Sequence, residues 1–243
     1  MGPRARRARR RLSRWSCRSV GGRTPPVTGL YRLDYVNGCR RVPTFASGLP
    51  QTRAAVEFAE RAHAGQRRSD GTAFVRHPLE VASLLCHAGA PDHVIAAGAL
   101  HDVVEKADVR AIELRECFGL RITDLVLAVS DDDRIRGYAE RKAALRAQVA
   151  GAGDEALTLF AADKLSKLRE LRREAAVDRD QRGAPTPLPE MRARRLRHYQ
   201  RSLAMLEERL PDSPLVSALR DELSLFRHER SVLAARSCTD QVS

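Results

Sequence analysis

No two cysteines in this sequence have C-x-x-C spacing, and the five present, Cys17, Cys39, Cys86, Cys117 and Cys238, are scattered and odd in number. That excludes a disulfide framework or a zinc ribbon and reads as reduced thiols of a cytoplasmic protein. No apolar run approaches the length that spans a bilayer, so a membrane helix is not expected. Alternation of apolar and polar residues is missing over any useful length, as is a repeat of roughly 20–50 residues, which removes sheets and solenoids. Acidic residues are almost absent from the first 50 positions, where Asp34 stands alone among twelve arginines. Lysine is rare beside arginine throughout, a bias that codon usage alone can produce.

What is present is the composition of a soluble globular chain: 243 residues, 43% hydrophobic and 30% charged, enough to bury a core without staples. The net charge of +12 invites a nucleic-acid reading until its location is considered. Residues 1–50 carry +11, and the remainder, with 31 basic and 30 acidic residues, carries +1. The basicity therefore belongs to an extension rich in Arg, Gly, Pro and Ser, without sustained periodicity, which is expected to be disordered. Three roles fit it: a solvated leader, an organelle address, or a phosphate-contacting arm. The last is disfavoured because this basic segment has no interleaved aromatic platform beyond Trp15. Nucleic acid is thus not an expected partner.

From residue 51 the apolar spacing is helical almost to the end, and an all-α fold is expected. Thr52 can cap a first helix carrying Val56, Ala59 and His63 on one stripe. Turn residues Gly65 to Gly71 follow, and His77-Pro78 opens a second helix. A third helix is expected from Pro91-Asp92 to about Lys106. Two more run from Ile112 to Phe118, stopped by Gly119, and from Ile122 to Val129. A weaker segment spans Tyr138 to Val149. Gly151-Ala152-Gly153 then breaks the chain before a long helix that turns Leu157, Phe160, Leu165, Leu168 and Leu171 inward. Asp180 to Pro189 reads as a linker. Beyond it come the stripes Leu196, Tyr199, Leu203, Leu206, Leu210 and Leu215, Leu219, Leu223, Phe226, a helical hairpin. The expected organisation is a basic extension at 1–50, a principal domain at 51–180, and a hairpin at 187–230 that packs on it or mediates self-association as a homo-oligomer.

The chemistry gathers on two adjacent residues, His101-Asp102, on an otherwise apolar helix. A buried imidazole and carboxylate need hydrogen bonds or a cation, because desolvating them unpaired is costly. His77 at a helix start and Asp163 in the apolar run Leu157 to Ala162 can complete a site of two imidazoles and two carboxylates. That donor set suits Mn²⁺, Fe²⁺ or Zn²⁺ better than Ca²⁺. Glu105 follows His101 by four and Asp102 by three, which on one helix directs its carboxylate to the same water. A divalent cation lowers the pKa of water and a carboxylate can take its proton, which is the chemistry of ester hydrolysis. A lone histidine is more often a hydrogen-bonded core or surface residue, and His63, His87, His93, His198 and His228 are read that way.

The ordered set His77, His101-Asp102 and Asp163 resembles the H…HD…D signature of the HD-domain phosphohydrolases. The surrounding words narrow the likeness. Ala62-His63-Ala64-Gly65-Gln66-Arg67-Arg68, Phe74-Val75-Arg76-His77-Pro78-Leu79, Ala99-Leu100-His101-Asp102-Val103-Val104-Glu105, Phe118-Gly119, Ser130-Asp131-Asp132 and Ala162-Asp163-Lys164-Leu165 occur in family order. Over roughly residues 50–175 the chain is similar to the hydrolase domain of the RelA/SpoT proteins and its single-domain relatives. The resemblance implies an HD-domain helical bundle and removal of the 3′-pyrophosphate of (p)ppGpp with Mn²⁺. It also implies His77, His101, Asp102 and Asp163 as metal ligands, Glu105 as the first of a catalytic Glu-Asp pair, and Arg68 stacked on guanine. Lys106, Lys164 and Lys167 complete the expected substrate contacts.

Three positions depart from the family pattern: Lys106 for Asp, Lys167 for Asn, and Ser69 for a basic residue. Lys106 and Lys167 add +3 of charge near the cation and attract a polyanion, but remove a proton-handling carboxylate and an orienting amide. Two outcomes follow: an active phosphohydrolase acting on a phosphorylated nucleotide, or a nucleotide-binding regulatory module that retains the cation without turnover. Either holds if the two lysines face the site; a third arrangement swings both into solvent.

Overall fold

The computed structural model describes residues 43–68, 70–182 and 189–239, without the side chains of 178–182 and 230–239. The disorder expected for residues 1–42, most of the 180–189 linker, and Ser69 lie outside the described residues. Apart from one isolated bridge between Arg67 and Ala73, the described residues are helix, turn or coil. The helices are α1 (Pro50–Ala62), α2 (Arg76–His87), α3 (Asp92–Leu100), α4 (Val103–Lys106), α5 (Ala111–Ala128), α6 (Tyr138–Gly151), α7 (Asp154–Arg182), α8 (Glu190–Arg209) and α9 (Pro214–Thr239). Among these residues no helix is long and apolar enough to cross a membrane.

The packed chain begins before residue 51. A single 3₁₀ turn, Thr44–Ala46, buries Phe45 and Ala46 in the core, so the boundary expected at 51 moves towards the N-terminus. The start of α1 also differs from its reading. Thr52 lies inside the first turn, and the cap comes from across the fold. The Asp92 carboxylate accepts from the backbone N–H of Gln51 at 3.0 Å and of Thr52 at 2.9 Å, while the Thr52 hydroxyl donates to it at 2.7 Å. An anion satisfying orphan N–H groups at a helix N-terminus is favoured by both hydrogen bonding and the dipole. It also pins α1 to the first residue of α3.

Helix α3 is the centre of the fold. Every residue from Val94 to Leu100 is buried, and the small side chains Ala96, Ala97, Gly98 and Ala99 let neighbours come close. A Cβ on Gly98 would stand 2.5 Å from Leu85 Cδ1 and 3.5 Å from the Ala82 backbone. The absence of that atom permits the approach of α2, which carries His77, to α3, whose end carries His101. The helix expected from 91 to 106 is interrupted there. His101 and Asp102 form a turn, with Asp102 at ψ −6°, between α3 and the short α4.

The Gly119 stop is confirmed: its φ of 76° and ψ of 176° divide α5 into two helical halves, a conformation that glycine adopts without steric cost. Helix α7 runs behind α2 and α3, burying Leu157, Phe160, Leu165, Leu168 and Leu171; each such side chain contributes about 1.5–3 kcal/mol. The hairpin α8–α9 packs on α7 through Leu203, Leu206, Leu219 and Phe226. Arg172 pairs with Glu222 and Glu229 of α9, and Arg195 of α8 with Glu174.

Candidate metal centre

Three elements distant in sequence deliver four side chains to one buried point. His77 comes from the first turn of α2, His101 and Asp102 from the α3–α4 turn, and Asp163 from the middle of α7. All four are buried. His77, His101 and Asp163 each offer a ligand atom within 4.8 Å of the others'. The Asp163 Oδ1 oxygen is 3.1 Å from His77 Nε2 and 3.4 Å from His101 Nε2. Asp102 lies against both rings, 3.7 Å from His77 Nε2 and 3.4 Å from His101 Nε2.

The rings are oriented from behind. His101 Nδ1 faces the Gly98 carbonyl at 2.8 Å. A carbonyl only accepts, so in the neutral ring the proton is on Nδ1 and the lone pair on Nε2. That Nε2 is buried with no hydrogen-bond partner. His77 Nδ1 is held by the Ser166 hydroxyl at 2.9 Å, one turn along α7 from Asp163. The His101 Nε2 lone pair thus faces the carboxylates of Asp102 and Asp163 at 3.4 Å, a buried meeting of acceptors that a cation among them relieves. Two imidazoles fixed by outer partners, with carboxylates beside them, form the donor set of a divalent transition metal. The residues fit such an ion.

The electrostatics agree. Burial pushes the His77 imidazole down to about 4, leaving it neutral and able to act as a ligand. Burial opposes ionisation of Asp163, but the Lys164 and Lys167 ammoniums outweigh it and hold the carboxyl well below its usual range. Asp102 is also lowered, with burial outweighed by His101, Lys167 and His77.

The other expected residues fall into place unequally. Lys167 does not swing into solvent: its Nζ is 2.8 Å from Asp163 Oδ1. Lys164 is buried, bonded at 2.6 Å to Asp163 Oδ2 and 4.3 Å from the centre of the Phe160 ring. It is a counter-ion to Asp163, with only 3% of its side chain exposed. Lys106 is half exposed, with Nζ 3.6 Å from Glu105 Oε2. Glu105 spends its other oxygen, Oε1, on the backbone N–H of Asp131 at 2.6 Å. It therefore also anchors the loop after α5, a task its spacing from His101 did not reveal. Arg68 is held by an ion pair to Glu170 of α7 and lies 6.0 Å from the Phe74 ring.

Sequence reasoning missed Ser166, Glu170, Gln66 and Lys142. Ser166 and Glu170 follow Asp163 by three and seven, spacings that put them on its helix face, and that signal was readable. Gln66 donates to the Lys106 carbonyl at 2.8 Å and Lys142 pairs with Asp131; nothing local marks either. Four of the remaining histidines have the ordinary partners expected of them: His63 with Gln66, His87 with the Ser83 carbonyl, His93 with Glu155 and His198 with Arg146.

Comparison with known proteins points the same way. A family model described as an HD domain matches residues 55–184. The chain is 32% identical over 169 residues to a GTP pyrophosphokinase of Streptomyces coelicolor, covering 68% of this chain and 20% of that protein. It is 39% identical over 131 residues to the guanosine-3′,5′-bis(diphosphate) 3′-pyrophosphohydrolase MESH1 of Homo sapiens, covering 52% of this chain and 73% of that one. The chain thus spans about a fifth of the first relative and most of the second. The solved structure of a metazoan ortholog of SpoT that hydrolyses ppGpp aligns with a TM-score of 0.60 and 25% identity, over 75% of this chain and 97% of that one.

Proposed function

Because this chain belongs to the HD-domain family of metal-dependent phosphohydrolases, we propose that it removes pyrophosphate from the 3′ position of a guanosine nucleotide of the (p)ppGpp class, with Mn²⁺ as the cation. The observation that carries this reading is the convergence of His77 Nε2, His101 Nε2 and Asp163 Oδ1 around a buried nitrogen without a hydrogen-bond partner. His77, His101, Asp102 and Asp163 hold the metal. A divalent ion there supplies activation of water and neutralisation of charge on the leaving phosphates. The reduced thiols of Cys86 and Cys117 suit the reducing cytoplasm.

The chain's own groups do the rest. Glu105, with Oε1 fixed by the Asp131 N–H and Oε2 approached at 3.6 Å by the half-exposed Lys106 ammonium, takes the proton of the attacking water on Oε2. As the new P–O bond forms and the P–O3′ bond breaks, the proton taken by Glu105 passes to the ribose oxygen, which leaves as a hydroxyl, and pyrophosphate is released. Lys106 and Lys167, both partly exposed beside acids of the site, meet the phosphates. Arg68 offers a planar guanidinium to the base. Lys164 acts through Asp163, whose second oxygen it holds.

The purified 243-residue chain loaded with Mn²⁺ should release pyrophosphate from ppGpp within a nucleotide panel, and His101→Ala or Asp102→Ala should reduce release to background. Failure on every substrate by metal-replete protein rejects the reading. A second reading, a nucleotide-binding module with impaired turnover, is favoured by one observation: Lys167 already sits on the ligand Asp163. Guanine-nucleotide binding without turnover, with turnover gained in Lys106→Asp, would select it.

A further inference from the structure

All four lysines of the chain, Lys106, Lys142, Lys164 and Lys167, pair with carboxylates of this one region, although 39 of the 43 basic residues are arginine. An ammonium is a compact point charge and a guanidinium a broad planar fork. The former fits where a single atom must stand among packed acceptors. Lys167 differs from the other three in which atom it contacts. Its Nζ lies 2.8 Å from Asp163 Oδ1, the oxygen that faces His77 Nε2 at 3.1 Å and His101 Nε2 at 3.4 Å. Asp163 Oδ2 is already engaged by Lys164 at 2.6 Å. Oδ1 is therefore the oxygen that Asp163 presents to the ligand set, and an ammonium of this same chain reaches it.

We propose that Lys167 is an internal competitor of the divalent cation: ammonium and metal ion claim Asp163 Oδ1 in turn, so that metal entry drives the Lys167 side chain off that oxygen. The inference rests on the metal-centre reading above and adds to it a regulation of loading. Ligand oxygens stand about 2 Å from a divalent cation. A cation sharing Oδ1 with the ammonium would be within about 5 Å of it, where like charges shielded from bulk water repel strongly. The Lys167 side chain is 30% exposed, so it has a way out. Once displaced, it brings its charge to the mouth of the site, where substrate phosphate arrives. Metal binding is thereby weaker than the four ligands alone would make it.

The test is a Mn²⁺ titration of the full chain, reading free Mn²⁺ by its room-temperature paramagnetic resonance signal, for wild type, Lys167→Asn, Lys167→Gln and His101→Ala. Lys167→Asn and Lys167→Gln are expected to bind Mn²⁺ more tightly than wild type, by about 10-fold or more once the like charge is removed, with unchanged stoichiometry, while His101→Ala loses the site. Equal or weaker binding in both Lys167 variants, with His101→Ala still abolishing it, overturns the competition and leaves the metal centre standing. Absence of Mn²⁺ binding in every form sinks the competition and the metal centre together. Circular dichroism melts establish that each variant is folded, and agreement between Asn and Gln separates loss of charge from a local packing fault.

Discussion

Helices α2, α3 and α7 bury two imidazoles, two carboxylates and the Lys164 ammonium among alanines and leucines, whereas α8 and α9 bury mainly Tyr199, Leu203, Leu206, Leu219 and Phe226 and set their arginines and glutamates at the rim. Both regions are amphipathic helices packed on the same long α7. They differ in what desolvation does to them. In the hairpin every buried apolar group adds stability. In the ligand-bearing region burial works against the charged groups, which persist because each has a partner or awaits a cation. Tight packing by small residues holds that unfavourable set in register, and the hairpin supplies stability behind it.

Substitutions can break this contrast. The largest effect is expected from Asp163→Asn: turnover and Mn²⁺ binding fall to background, and about 3–5 kcal/mol of stability is lost because Lys164 stays buried without its counter-ion. Denaturant unfolding alongside metal titration checks both parts. Phe226→Ala should cost a similar 3–5 kcal/mol, yet leave Mn²⁺ affinity and stoichiometry as in wild type; a changed affinity would show that the hairpin is not merely support. Next comes Gly98→Ala, whose added methyl meets buried Leu85. About 1–3 kcal/mol of overpacking strain and a weaker metal site, as α2 is pushed from α3, are expected together, and strain without loss of affinity would uncouple the two helices. Ser166→Ala removes the partner of His77 Nδ1 and should lower Mn²⁺ affinity about 10–100-fold with the fold intact.

The smallest effect is in pH. In metal-free protein burial depresses His77 to about 4 and also depresses His198. The unfolded chain binds protons on these rings below about 6.5, while the folded chain does not. Their contribution to stability is thus full above 6.5 and lost as pH falls towards 4. For His101 burial is outweighed by Asp102 and Asp163, which raise it, so its contribution is full below 6.5 and lost above. Between pH 6.5 and 4.5 the His101 contribution is constant while those of His77 and His198 are being lost, so the melting temperature declines across that window; a flat or rising profile there contradicts the burial argument.

How much of this was legible depended on distance along the chain. Helices with local apolar periodicity were readable: Ile112 to Phe118, the stop at Gly119, the long run from Leu157 to Leu171, and the hairpin stripes. His101, Asp102 and Asp163 stood out because ionisable groups in apolar runs need an explanation, and His77 joined them through the family order of the four residues. Outer partners did not. Asp92 replaces Thr52 at the start of α1 from 40 residues away, and Ser166 steadies His77 across 89. The rotation of Lys167 towards Asp163 was one of two directions open to a long flexible side chain.

The linear order of residues determined an all-helical chain with a neutral body, a basic leading segment, and a set of ligand-type side chains at distinctive positions, because periodicity, charge count and residue chemistry are local properties. Only the folded packing decided that those side chains meet, which ring nitrogen faces inward, and that Lys167 rests on the shared oxygen of Asp163. Those outcomes depend on how closely α2, α3 and α7 approach one another, and that approach is set by contacts between residues far apart in the chain.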